Sequence, residues 1–201
     1  MSFIDTVRPV DSEGDVRAMY ERQQDSWGYV PNYALAFSHR PEVLARWAKL
    51  LSAIRRPMDD RRFELVTLAA AHTYRHSSCS LAHGKQLAKF IGEDEVCKIA
   101  RGELGEALTD AEKEMIRYAR KVAEDASQVT REDVDRLKAH GLADAEIFDI
   151  AAAVAGRAFL TKLLDALGNE PDFEFNQLSA AMRDTLTVGR PISTKESHTI
   201  E

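Results

Sequence analysis

The chain has 201 residues, of which 44% are hydrophobic and 30% are charged, and its formal net charge is -6. This size and composition predict one globular domain with a substantial core. The Lys and Arg residues are scattered and outnumbered by acids, which argues against a nucleic-acid partner, and no apolar segment is long enough for a membrane span.

Nearly every periodic segment predicts helix, so the expected fold class is all-α. The predicted helices cover about residues 12–26, 33–38, 41–55, 60–73, 78–91, 93–100, 110–125, 131–140 and 144–167. We expect an N-terminal arm at residues 1–11, a helical domain at 12–175, and a last helix with a polar tail at 176–201. From Thr187 onward the tail is expected to be mobile or to lie as an arm on a neighbouring subunit.

The predicted helix ends follow from the residues that flank them. Pro41 occupies a first helical position, and Thr109 and Thr130 each begin a segment with a capping pattern. Gly92 and Gly168 follow the last periodic residues of two other helices, where glycine commonly ends a helix. These signals predict separate, well-bounded helices.

Two segments of the chain resemble each other. Residues 87–100 align with residues 137–151 when one inserted residue is allowed. This indicates a weak internal repeat of two helical units, which would bury their apolar stripes against one another. Two copies are too few for a solenoid.

Glu64 lies inside the most apolar of the predicted helices, residues 60–73. Burying a carboxylate is costly unless it has a partner, so the sequence predicts a partner for Glu64. The alternative is that Glu64 lies on a solvent-exposed stripe together with Arg61.

Three more chemically reactive side chains follow closely, and they are His76, Cys79 and His83. Their spacings of three and four residues place them on one side of a helix. With Ser77 or Ser78 as the N-cap, Cys79 would lie in the first turn, where free backbone amides favour a thiolate. The sequence therefore predicts an acidic Cys79 thiol.

His83 faces the same direction as Cys79 and could accept its proton directly or through a water. Glu64 could in turn hold and orient the His83 ring. The opposing interpretation is that Cys79 is a small buried hydrophobe. His72, two turns beyond Glu64, either lines the same pocket or is a core histidine.

The chain has only two cysteines, Cys79 and Cys97, and no secretory signal, so we expect a cytoplasmic protein. Cys97 is predicted to be structural. An axial mismatch of roughly 12 Å should prevent a bridge to Cys79, since the Cα limit is ~7 Å. His39, His140 and His198 are expected at the surface.

The spacing of Glu64, His76, Cys79 and His83 resembles the motif of the alkylhydroperoxidase D-like and carboxymuconolactone decarboxylase family. That motif reads Glu, eleven residues, Cys-x-x-Cys, three residues, His. The resemblance covers residues 12–175 and includes the Val30-Pro31-Asn32 entry and the apolar helix with Glu64. It also includes an ending typical of the family's peroxidase-related branch, Asp165-Ala166-Leu167-Gly168-Asn169-Glu170-Pro171.

The resemblance implies an alkylhydroperoxidase D-like helical subunit of a homo-oligomer, a trimer or a hexamer. Cys79 then corresponds to the peroxidatic cysteine, and Glu64 and His83 to the proton relay. His76 stands where the family has its first cysteine, so the vicinal disulfide cannot form. The implied function is a peroxidase that reduces hydroperoxides through Cys79, with an external thiol as reductant and no cofactor, while His76 hydrogen-bonds the sulfur or the peroxide.

Two other functions stay open. One is a cofactor-free lactone decarboxylase or isomerase in which His76 and His83 act as acid and base. The other is a metal-binding or non-catalytic member of the family, because Glu64, His76, Cys79 and His83 carry donor types that suit zinc.

Overall fold

The computed structural model describes residues 2–200 of the chain. Over this range the chain is all-α, and its strand-like pairing is limited to one isolated bridge between Val30 and His198. The helices are α1 (Gly14–Trp27), α2 (Asn32–Ala36), α3 (Pro41–Arg55), α4 (Asp60–Thr73), α5 (Ser77–Ile91), α6 (Glu93–Ala100), α7 (Asp110–Asp125), α8 (Arg131–Ala139), α9 (Asp144–Ala166) and α10 (Ala180–Leu186). Within the described range, no helix combines the length and the apolar character needed to cross a bilayer.

The predicted helix ends agree closely with the observed ones. Pro41 is the first residue of α3, and α7 begins with a capping box between Thr109 and Glu112. In that box the Glu112 carboxylate accepts the Thr109 N–H at 2.8 Å, and the Thr109 hydroxyl accepts the Glu112 N–H at 3.2 Å. Gly92 ends α5 with φ of 84°, a value that favours glycine.

The helix α4 lies at the centre of the core. Every residue from Phe63 to Ala71 is buried, and the helix packs against α5, α7 and α9. A helix that is apolar on all sides must be covered on all sides, which explains this central position. Glu64 is consequently carried into the protein interior.

The buried side chains form two clusters, and the two cysteines belong to different ones. Cys97 lies in the larger cluster, with its Sγ 3.8 Å from the Sδ of Met182. Cys79 lies in the smaller cluster beside α1, α2 and α3. Cys97 is thus enclosed by apolar side chains away from Cys79, as the sequence predicted.

The two segments of the weak internal repeat share several local features. Each has a fully buried leucine, Leu87 or Leu137, shortly before a glycine with positive φ. These glycines are Gly92 (φ 84°) and Gly141 (φ 86°), and a helix follows each of them. Both units contribute to the larger core cluster.

The expectation for the tail after Thr187 is wrong, because this segment packs on its own chain. The Gly189 N–H donates to Ser77 Oγ at 2.8 Å, and the Val30 N–H donates to the His198 carbonyl at 2.8 Å. Ile200 is buried in the smaller core cluster. Backbone hydrogen bonds and one buried apolar side chain hold the tail, although its composition is polar.

Candidate active site

A cavity of about 590 Å³ opens between α3, α4, α5 and α9. Glu64, His76, Cys79 and His83 all line it. The rest of the wall is largely aromatic and aliphatic. The four candidate site residues therefore meet in one place. The helical spacing predicted this for His76, Cys79 and His83, and Glu64 reaches them from the neighbouring helix α4.

His76 itself is the N-cap of α5, so the expectation that Ser77 or Ser78 fills this role is wrong. His76 Nδ1 accepts the Cys79 N–H at 3.2 Å. Burial, Arg157 and Arg190, in that order, lower the pKa of His76 to about 4. The ring is therefore neutral, and because Nδ1 is an acceptor, its proton is on Nε2.

The Nε2 of His76 is buried and has no hydrogen-bond partner among residues 2–200. His76 was expected to hydrogen-bond the Cys79 sulfur or the peroxide. Across the described residues its ring bonds the Cys79 main chain instead of the sulfur, and the bond to the peroxide stays a prediction. The ring thus supplies a spare N–H donor in the wall of the cavity, beside the thiol-bearing turn.

Glu64 and His83 form a buried carboxylate–imidazole pair. The Glu64 Oε2 lies 2.6 Å from His83 Nδ1, and Arg55 is 4.0 Å from the other carboxylate oxygen. Burial is the largest cause that lowers the pKa of His83, with Glu64 acting in the opposite direction. The neutral ring therefore donates its Nδ1–H to Glu64 and keeps a lone pair on Nε2.

The alternative placement of Glu64 on a solvent stripe with Arg61 is wrong. Glu64 is 4% exposed. Arg61 points away from it and forms an ion pair with Glu112 at 2.6 Å.

The Cys79 thiol is buried, and the prediction that it is acidic is wrong. Burial raises the pKa of Cys79, while Arg157, whose Nη1 lies 3.8 Å from the sulfur, lowers it. The Cys79 N–H is one of the backbone amides at the helix N-terminus whose partial positive charge would favour a thiolate. Because it already donates to His76, it stabilises the sulfur less. Desolvation is the larger effect. Within the described chain, no hydrogen bond joins the Cys79 sulfur to His83.

Arg157 and Asp172 are two polar residues of this site that sequence reasoning missed. Arg157 lies in α9, it is 4% exposed, and its guanidinium carbon is 5.5 Å from the ring centre of Trp47. The sequence did contain a signal for Arg157, because it is a lone charge in the middle of an apolar helix. Burying such a charge is costly without a partner, and the same argument singled out Glu64.

A second polar group closes the other wall of the cavity. Asp172 accepts the Asn32 N–H at 2.6 Å and the Tyr29 hydroxyl at 3.4 Å. Burial raises the pKa of Asp172 to about 7, with Asn32 opposing and Glu174 adding to the rise. Tyr33 also lines this side, and its hydroxyl donates to Gln23.

His72 does not line the cavity, so the core-histidine alternative describes it. It lies eight positions beyond Glu64, a rotation of about 80° past two full turns of α4. Burial, followed by the charge of Arg120 in α7, lowers the pKa of its ring.

The four candidate residues are not arranged as metal ligands. Over residues 2–200, no three His, Cys, Asp or Glu side chains are grouped so that they could hold a metal ion. The facing atoms of Glu64 and His83 bond each other, and His76 Nδ1 bonds an amide. The remaining histidines, His39, His140 and His198, are exposed.

This helical arrangement is the alkylhydroperoxidase D-like fold, as comparison with solved structures shows. An uncharacterised peroxidase-related protein from Ralstonia eutropha JMP134 with an alkylhydroperoxidase AhpD core matches with a TM-score of 0.74 and 24% identity, covering 87% of this chain and 94% of that one. An uncharacterised peroxidase-related protein from Silicibacter sp. TM1040 matches with a TM-score of 0.75 and 18% identity, covering 88% and 94% of the two chains.

The debrominase Bmp8, in a variant with one cysteine replaced by alanine and in complex with 2,3,4-tribromopyrrole, matches with a TM-score of 0.71 and 16% identity. The match covers 92% of this chain and 98% of that one. No protein-family model matches the chain, and no curated protein matches it. At these identities the similarity is one of fold.

Proposed function

We propose that this protein is a thiol-dependent peroxidase in which the Cys79 sulfur reduces a hydroperoxide. The observation that carries the proposal is that Cys79 lies in one cavity with the paired Glu64 and His83. The Arg157 cation lies in the same cavity, 3.8 Å from the Cys79 sulfur. A nucleophile, a base and a group that orients the base are the parts that thiol catalysis requires. The fold shared with peroxidase-related proteins supports the same class of enzyme.

The first step is removal of the thiol proton. Because burial keeps Cys79 protonated, a base must act when substrate is present. His83 Nε2 takes this proton through a water or through the substrate, since the described residues show no direct hydrogen bond between His83 and the sulfur. Arg157 then stabilises the thiolate by charge.

The second step is attack on the peroxide. The Cys79 thiolate bonds to the terminal oxygen, the O–O bond breaks, and the leaving alkoxide takes the proton from His83. The free Nε2–H of His76 donates a hydrogen bond to the peroxide or to the leaving oxygen. The products are an alcohol and the sulfenic acid of Cys79.

An external thiol completes the cycle, because Cys97 lies in a separate core cluster and cannot resolve the sulfenic acid. One thiol attacks the Cys79 sulfur and releases water, which leaves a mixed disulfide. A second thiol attacks that disulfide and restores Cys79. The sum is one hydroperoxide and two thiols converted into an alcohol, water and one disulfide.

The test is mass spectrometry of the protein after a brief pulse of cumene hydroperoxide, with and without a small thiol. We expect oxidation of Cys79, its reversal by the added thiol, and the same result in the matched control Cys97→Ala. The Cys79→Ser variant should consume no peroxide. An unchanged Cys79 mass in the wild-type protein would refute the proposal, and conversion of a lactone by Cys79→Ser would favour the decarboxylase or isomerase alternative.

Reductive dehalogenation is a second candidate, favoured by the aromatic wall of the cavity and by the structural match to a debrominase holding a brominated pyrrole. Trp27, Trp47 and Phe63 could receive a flat halogenated ring. The Cys79 sulfur would take the halogen, the ring carbon would gain a proton, and two external thiols would release halide and a disulfide. Loss of bromide from 2,3,4-tribromopyrrole, measured with and without Cys79→Ser, separates this candidate from the peroxidase.

A further inference from the structure

Arg157 is a buried cation in the wall of the cavity. It lies in the interior of α9 between apolar residues, and only 4% of it is exposed. Moving a charged guanidinium out of water is costly unless an anion and hydrogen bonds compensate it. A residue in this position therefore requires an anionic partner.

Over residues 2–200, no carboxylate supplies that partner. Of the two acids in the cavity, Glu64 is bonded to His83 at 2.6 Å and Asp172 is bonded to the Asn32 N–H at 2.6 Å. The Nε of Arg157 is buried and has no hydrogen-bond partner in the described part of the chain. Within that part, the cation is thus left without a counterion whenever the nearby thiol is protonated.

The Arg157 side chain is held in place beside the reactive sulfur. One face packs on Trp47, whose own Nε1–H is fixed by a 3.0 Å hydrogen bond to the Gly156 carbonyl. The Nη1 group lies 3.8 Å from the Cys79 sulfur. A rigid, planar, forked donor with an unused N–H is suited to a carboxylate, which can accept two parallel hydrogen bonds.

We infer that Arg157 binds the carboxylate of the substrate, which is therefore an organic acid with an apolar body. Trp47, Phe63 and Leu160 line the cavity beside the cation and would enclose that body. A volume of about 590 Å³ is within the usual range for small-molecule sites. The naming of this ligand as a substrate rests on the proposed function, whereas the anion site itself does not.

The position of Arg157 also restricts where the reacting group lies in the substrate. The guanidinium and the sulfur are 3.8 Å apart, so a molecule that engages both has its carboxylate a few bonds from the atom that Cys79 attacks. A hydroperoxide without a carboxylate lacks the counterion and is expected to be a poorer substrate.

The test is a binding measurement with benzoate and its neutral isostere benzamide, made on the full-length Cys79→Ser variant at neutral pH. The only two tryptophans of the chain, Trp27 and Trp47, both line the cavity, so their fluorescence reports occupancy. We expect benzoate to bind at least about tenfold tighter than benzamide. Adding Arg157→Gln should abolish this preference and leave benzamide binding unchanged.

Arg55→Gln is the matched control, because Arg55 lines the same cavity but is already paired with Asp60 at 2.8 Å. It should preserve the preference for benzoate. Should Arg157→Gln fail to fold, Arg157→Lys is the second variant. It keeps the positive charge but lacks the paired N–H donors of the guanidinium, so it should retain a smaller preference for benzoate over benzamide. Equal binding of the two probes, or a preference that survives Arg157→Gln, overturns the inference. Because Cys79 is absent from this assay, a protein that binds benzoate but reduces no peroxide would refute only the proposed function.

Discussion

The Cys79 thiol is subject to two opposing influences. Burial raises its pKa, and the Arg157 guanidinium, 3.8 Å from the sulfur, lowers it. Under the proposed function, a thiol with this balance stays protonated in the resting protein and becomes a nucleophile when a base and a substrate are both present. We expect this to protect the sulfur from reagents that do not fit the cavity.

The first prediction concerns the pH at which Cys79 becomes reactive. In a Cys97→Ala background, the rate of alkylation by iodoacetamide should rise with pH and reach its midpoint above that of a free cysteine. Replacing Arg157 with Gln removes the nearby cation and should move the midpoint upward by roughly 1 to 3 pH units. A midpoint below neutral pH in the unmodified site would contradict the dominance of burial.

The second prediction concerns Glu64 as a positioning residue. Glu64→Gln removes the carboxylate that fixes the His83 tautomer, so peroxidase kcat/KM should fall by about 10²-fold or more. Nitrogen NMR of His83 should show a change of tautomer or of pKa, which a purely structural role would not produce.

Glu112→Gln is the control for Glu64→Gln, since Glu112 is a buried carboxylate paired with Arg61 away from the cavity. It should lower the free energy of unfolding without changing the activity per folded molecule. Equal losses of activity in the two variants would rule out a specific role for Glu64.

The residues of the site were predictable where their spacing along one helix determines their direction. His76, Cys79 and His83 belong to a single turn-and-helix segment, so the helical repeat alone brings them to one face. Arg157 comes from 78 positions away, and its approach to Cys79 depends on how α9 packs in the core. That packing cannot be read from local periodicity.

At the scale of the helix, the start of α5 depends on a histidine rather than on a serine. His76 has an extended backbone (φ -101°, ψ 102°), and its ring accepts the N–H three residues further on, as Asn or Asp would do. The ring can accept because burial keeps it neutral. Under the proposed function, the same side chain would combine the capping role with that of a catalytic donor.

The third prediction separates these two roles of His76. His76→Asn keeps an acceptor at the cap, whereas His76→Ala does not. At pH 7 the Asn variant should be more stable than the Ala variant by about 1 kcal/mol, measured by urea unfolding. Both should lose the Nε2–H donor and therefore show similarly reduced peroxidase activity. Equal stability of the two variants would show that the cap contributes nothing.

The limits of helix α5 and of its neighbours were largely predictable because capping patterns, proline and glycine act within a few residues. The position of the tail after Thr187 was not predictable, because a polar composition indicates a mobile segment and does not reveal the few contacts that hold it. Ile200 packs against residues of the first helices, and the Gly189 N–H reaches Ser77 at the start of α5. These contacts join distant parts of the chain, which composition does not reveal.

At the scale of the whole molecule, Asp172 links the segment after α9 to the N-terminal helices. It bonds to Tyr29, which lies between α1 and α2, and to Asn32, the first residue of α2. The homo-oligomer stays a prediction, and α9 offers Phe148 and Phe159, which are 70% and 45% exposed, as apolar surface. Asp172 matters for stability because it is ionisable and almost fully buried.

The last prediction concerns the pH dependence of stability. The pKa of Asp172 is raised from its ordinary 3.8 to about 7, so between these values the folded chain holds a proton that the unfolded chain has released. Its contribution to the free energy of unfolding therefore falls as pH rises through this window, by up to about 4 kcal/mol. Asp172→Asn keeps an acceptor for Asn32 and has no charge, so it should escape this loss.

The wild-type curve alone does not isolate Asp172, because His76 acts in the opposite direction. The pKa of His76 is about 4 when folded and 6.5 ordinarily, so its contribution to stability rises with pH over nearly the same range. The difference between Asp172→Asn and wild type cancels the His76 effect. We expect this difference, measured by urea unfolding, to grow in favour of the variant from pH 4 to pH 7 and then to level off. A difference that stays constant over the window would mean that Asp172 is ionised throughout it, and that the polar wall of the cavity is charged at neutral pH.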